Sequence, residues 1–209
     1  MTAWLGAQVF ALSALAILGW LLARLVWLYY FFGLFFFLVA GLLVGSIAFR
    51  IARSARPMEP GRLLRGIISI GVCSTVIIIV WEYRHYCATV GRPPHFAEAR
   101  NAAIAAGKPP AEIQQTASDE FSGYLAKHFP PGGAMGYILW STKDGTARIT
   151  VGDASENIVN EHRHWIWPTR TLAGMILLMA GLWFSMESLR RPLPVSNVLQ
   201  PGEEYEEAV

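Results

Sequence analysis

The sequence predicts a polytopic α-helical membrane protein with four transmembrane helices and a small extracytoplasmic α+β domain, two helices plus a β-hairpin, between helices 3 and 4. Three observations carry that class. The chain is 54% hydrophobic and only 15% charged, with a mean hydropathy of +0.37, more apolar and less charged than soluble domains. The stretches 3–23, 28–49, 65–82 and 168–187 approach the roughly 20 apolar residues that a spanning helix needs. Between the second and third stretches Arg50, Arg53, Arg56, Arg62 and Arg65 stand against the single Glu59.

The first stretch follows "MTAW", which has no positive charge, and outlasts the apolar core of a secretory signal, so it reads as a retained helix. Its partner begins after "RLVWLYYFF", a connection that allows only a tight turn, and the two form an antiparallel hairpin. Trp27, Tyr29 and Tyr30 in that turn have the apolar body and polar tip of an interfacial belt. Gly41 and Gly45 lie four apart in the second span, the small-xxx-small pair that admits a close helix neighbour. The third and fourth spans are shorter. Their ends carry Arg65, Glu82, Arg170 and Glu187, which are expected to reach the headgroups.

The arginine loop at 50–65 outweighs Arg24, which stands alone in the turn between the first and second spans. The positive-inside rule then puts both termini in the cytoplasm of a cell inner (plasma) membrane and residues 84–166 on the periplasmic or extracytoplasmic side. The expected division is 1–83 for helices 1–3, 84–166 for an outer cap, 167–189 for helix 4 and 190–209 for an acidic cytoplasmic tail. Cys73 within a span and Cys87 about 21 Å further along a continuing helix are too far apart to bond.

Within the cap, "GRPPHFAEARNAAIAAG" reads as a short helix ended by Gly107. Ile113, Ala117, Phe121, Leu125 and Phe129 recur every four residues and make the apolar stripe of a longer one. "GYILWSTKDGTARITVGD" places Asp144-Gly145 between two alternating runs, which predicts a hairpin with Trp140 and Ile138 facing Ile149 and Val151. Tyr137 then falls on the opposite, mixed face. Asp153 and Glu156 suggest a capping box opening a helix toward the fourth span, with Pro168 kinking it.

Chemical motifs are sparse. His85, His162 and His164 fall near one membrane surface and form the metal or haem candidate, because imidazole suits Zn, Cu or Fe. On a helix, however, His162 and His164 would project about 200° apart. There is no Cys-x-x-Cys-His, His-Glu-x-x-His, Gly-x-Ser-x-Gly or Walker loop. The span interiors read as free of charge, which argues against a stand-alone pump or transporter. A net charge of +2 gives no reason to expect a nucleic-acid partner.

These features favour a non-catalytic subunit, without a cofactor, whose partners are the lipid bilayer and other membrane protein subunits. Glu203, Glu204, Tyr205, Glu206 and Glu207 in the tail are the expected partner-binding residues. The competing reading is a membrane-anchored redox or metal/haem-binding protein using the outer histidines.

Overall fold

The computed structural model describes residues 2–25, 30–52, 59–92, 96–152, 154–160 and 164–190. Among these residues four helices are long and apolar enough to cross a membrane: α1 (Thr2–Leu25), α2 (Tyr30–Ala52), α3 (Pro60–Thr89) and α7 (Ile166–Met186). Between α3 and α7 lie α4 (Ala97–Ala105), α5 (Pro110–His128), α6 (Gly133–Lys143) and an antiparallel pair, β1 (Thr146–Val151) and β2 (Ala154–Val159). Among the described residues the cap thus has three helices and a hairpin, where two helices and a hairpin were expected.

The long helices form an up-down-up-down bundle. Gly66 near the start of α3 lies on Trp4 and Gln8 of α1, and Gly19 lies on Ile77, Ile78 and Trp81, so α1 and α3 run parallel. Gly174 meets Phe37 and Gly181 meets Leu38 and Leu42, so α2 and α7 also run parallel. Leu15, Ala48, Ile67, Ile70, Leu178 and Leu182 are among the side chains that fill the interior. Outward-facing positions such as Ile17, Leu43, Val76 and Ile176 are exposed and apolar, as a lipid-facing surface requires.

Helix α3 continues past the bundle to Thr89, and its last turns form part of the cap's own core. Tyr86 packs its ring 5.1 Å from Phe121 and 5.3 Å from Trp140, and those two rings lie 5.0 Å apart. Ile113, Ala117, Phe121 and Leu125 of α5 are fully buried against them, so the four-residue stripe is the inner face of that helix.

The expected hairpin is displaced along the chain. Residues 137–142, read as a strand, are helical, and Gly136, Tyr137, Trp140 and Ser141 are the buried positions, a helical spacing. Asp144-Gly145 is the end of that helix and not a strand turn. Gly145, at φ 58°, takes the left-handed conformation that closes a helix, and its N–H donates to Trp140 C=O at 2.7 Å. Strand β1 keeps the expected faces, with Ile149 and Val151 buried and Arg148 and Thr150 exposed. Its partner is β2, in the register Ile149 opposite Glu156.

Asp153, the expected start of a helix, lies outside the described residues, and the residues after it form strand β2. Glu156 does cap a helix, but a different one: its Oε2 accepts from Ala99 N–H, in the first turn of α4, at 3.2 Å. Pro168 also has another role. Helix α7 starts at Ile166, so the proline sits in the first turn, where its missing N–H would have had no intrahelical partner.

Candidate functional site

Where α3, α6 and α7 meet, the chain buries a carboxylate and a guanidinium. Glu82 lies on α3 in phase with Ile70, Ser74, Ile78 and Tyr86, the four-residue stripe that faces inward. Arg170 lies on α7 in phase with Gly174, Leu178, Leu182 and Met186. Each charge therefore replaces an apolar side chain on the packed face of its helix. Glu82 is 2% exposed and Arg170 3%. They had been expected to reach outward as charges at span ends; instead both are buried and point at each other.

Arg170 Nη2 donates to Glu82 Oε1 at 2.7 Å. The same oxygen accepts from Trp167 Nε1–H at 3.0 Å and from Tyr137 Oη–H at 3.2 Å. Trp167 stands one turn before Arg170 on α7, so a single helix supplies two donors; the phenol comes from the cap. The rings of Tyr137 and Trp167 meet edge to face at 6.3 Å beside the pair. A recess of about 20 Å³ below it, lined by Phe37, Thr75, Ile78, Ile79 and Thr171, has room for about one water.

An isolated charge here would be costly, and pairing with three donors on one carboxylate oxygen offsets that cost. Tyr137 holds its proton well above the ordinary phenol range, chiefly through burial and then through the negative Glu82 beside it. It is therefore a fixed donor at neutral pH. Arginine keeps its charge in proteins, so an ion pair joins α3 to α7, and the Tyr137 hydroxyl clamps the cap onto it.

Comparison with protein-family models, curated proteins and solved structures finds no match to this chain. The site is therefore interpreted from its own geometry. Nearby, Asn160 Nδ2–H donates to Ser141 Oγ at 3.1 Å, Asn160 N–H to Gly145 C=O at 2.6 Å, and His164 N–H to Ser141 C=O at 2.9 Å. These bonds tie the strand-to-α7 connection to α6.

The histidines of the metal reading are not seen together. His85 lies half-buried on α3 beside Arg84; His164 is exposed, with a left-handed backbone at φ 60°; His162 lies outside the described residues. The helix expected through 162–164 is absent at His164, which weakens the angular argument drawn from it. Among the described residues no His, Cys, Asp and Glu cluster could hold a metal ion.

Gly41 and Gly45 face α7: a Cβ at Gly41 would strike Leu178 C=O, and one at Gly45 would come within 2.7 Å of Ser185 Cβ. Ser185 Oγ–H donates across this contact to Leu42 C=O at 2.9 Å. Glu203, Glu204, Tyr205, Glu206 and Glu207, and the belt residues Trp27 and Tyr29, lie outside the described residues.

Glu82, Arg170, Tyr137 and Trp167 were not foreseen as a site. The signal was present, because both charges fall on the apolar stripe of their helices. Treating them as span ends concealed it.

Proposed function

We propose that this chain is a non-catalytic integral membrane subunit that assembles with and stabilises a larger membrane protein complex through its helices, its cap and its acidic tail. The observation that supports this most is the clamp. The buried charges join α3 to α7, the Tyr137 hydroxyl ties the cap to that pair, and the recess beside them admits about one water between mainly apolar walls. A carboxylate so held is suited to rigidity more than to turnover or transport. Cap and bundle then present one body, with exposed Met135 and Ile104 on the cap and apolar helix faces below. In the same reading the bundle spans an inner membrane, with the cap outside and both termini in the cytoplasm.

The test is purification in mild detergent at native expression level, with a photo-crosslinking side chain at Met135. A discrete protein adduct of reproducible mass, lost when residues 202–209 are deleted or when the sample is not irradiated, is the expected result. A monodisperse monomer with no associated protein would overturn the proposal. Haem absorbance or stoichiometric Zn, Cu or Fe in the same preparation would replace it with the redox reading.

A further inference from the structure

At the cap end of the bundle, on the side away from the clamp, α1 and α3 leave a cleft of about 170 Å³ lined by Trp20, Arg24, Trp81, Arg84, His85 and Ala88. That is roughly tenfold the space one water needs. The four residues from α3 recur at positions i, i+3, i+4 and i+7, so they share one helix face. Each guanidinium is held over an indole, Arg24 at 3.8 Å from the Trp20 ring and Arg84 at 5.7 Å from that of Trp81. Among the described residues the sole ion pair joins Glu82 and Arg170, so neither cleft arginine is neutralised by a carboxylate there.

We propose that this cleft binds the phosphate of an anionic lipid headgroup. Two forked guanidiniums match phosphate oxygens and can each engage them through paired N–H donors, and stacking on the indoles pre-orients the forks. An imidazole N–H of His85 supplies a further donor. The floor favours a lipid over a soluble ion. Gly19 brings α1 against Ile77, Ile78 and Trp81 directly beneath the cleft. Ile17, one turn below Trp20, is exposed, and Ile77 lies one turn below Trp81. An acyl chain leaving the headgroup would therefore run down apolar surface. Tryptophan is also the residue that settles at the level of headgroups. These cations lie at the cap end, opposite the arginine loop, so the charge bias that orients the chain does not account for them.

The experiment uses the full chain in nanodiscs or detergent, with phosphatidylglycerol, phosphatidylcholine and soluble glycerol phosphate as probes. Thermal stability and native mass spectrometry are the readouts. Phosphatidylglycerol should bind and raise the unfolding temperature; phosphatidylcholine should not. Arg24→Gln and Arg84→Gln, both at exposed positions, should each weaken phosphatidylglycerol binding roughly tenfold, the loss expected for a charge-assisted bond. Arg148→Gln on the cap, with the same charge change, should leave it intact. Equal loss in all three variants would make the effect one of net charge and overturn the site. Equal binding of glycerol phosphate at matched concentration would overturn the lipid source, and an Arg24→Gln/Arg84→Gln protein that still selects phosphatidylglycerol would overturn the proposal outright.

Discussion

Glu82 has three donors on one oxygen, and the loss of each has a different consequence. Removing either charge leaves its partner buried and uncompensated, so Glu82→Ala or Arg170→Ala should each cost about 3 to 5 kcal/mol. Replacing both, as Glu82→Leu/Arg170→Met, should cost well below the sum, because apolar pairs of similar volume are tolerated in place of buried ions. Thermal unfolding of the four proteins in one detergent measures the cycle, and additive losses would mean that the two charges act independently. Tyr137→Phe keeps the ring and loses one hydrogen bond, for about 1 to 1.5 kcal/mol. It also gives a pH signature. The folded phenol holds its proton above the unfolded value near 10, so the folded state binds more protons once the unfolded chain begins to ionise. That contribution is fully present below about pH 10 and is lost as pH rises further. The unfolding temperature of the wild type should thus fall more steeply between pH 9.5 and pH 11 than that of Tyr137→Phe, and parallel curves would contradict it.

At the scale of elements, two glycine positions separate backbone entropy from packing. Gly123 lies in the middle of α5, and a Cβ there would meet nothing within 4 Å. Gly123→Ala should stabilise the cap by about 0.5 to 1 kcal/mol, the difference in helix propensity. Gly181 lies where α7 approaches Leu38 C=O of α2, which a Cβ would reach at 2.5 Å. Gly181→Leu should force α2 and α7 apart and lower the unfolding temperature, and a neutral result would show that the bundle can open there without cost. The elements also show what the sequence made legible. The stripe of α5 and the apolar runs of the spans are long enough for one period to dominate. Residues 137–142 are not: Ile138, Trp140 and Thr142 alternate like a strand, while Tyr137, Trp140 and Ser141 repeat like a helix. Asp144-Gly145 did not decide between them, since a left-handed glycine ends a helix as readily as it turns a hairpin. The consequence reaches the site. With Tyr137 on a helix, its hydroxyl turns inward to Glu82; on the expected strand it would have faced the mixed surface. Trp140→Ala and Tyr137→Ala should therefore both cost about 3 to 5 kcal/mol, measured as protease sensitivity of the cap. The strand reading predicted that Trp140→Ala would be the more damaging of the two.

For the whole molecule, the proposed orientation rests on where the bundle keeps its cations. Arg50, Arg62 and Arg65 stand at the end of the bundle away from the cap, and Arg53 and Arg56 belong to the same short loop in the sequence. At the cap end, Arg170 is consumed by Glu82, and a buried, paired cation contributes little to the loop charge that decides insertion. Arg24, Arg84 and Arg92 remain there, and the first two are each laid against an indole. In the proposed topology this bias would direct the arginine loop to the cytoplasm and carry the cap across. Lys143, exposed at the end of α6, is a suitable reporter. In a background of Cys73→Ser and Cys87→Ser, Lys143→Cys should react with a membrane-impermeant thiol reagent in intact cells whose outer barrier has been made permeable. A cysteine in place of Arg62 should react only after lysis. The reverse pattern would place the cap in the cytoplasm. It would also turn the Trp20 and Trp81 cleft toward the inner leaflet, where anionic lipid is expected, so the same experiment assigns the leaflet that the cleft would read.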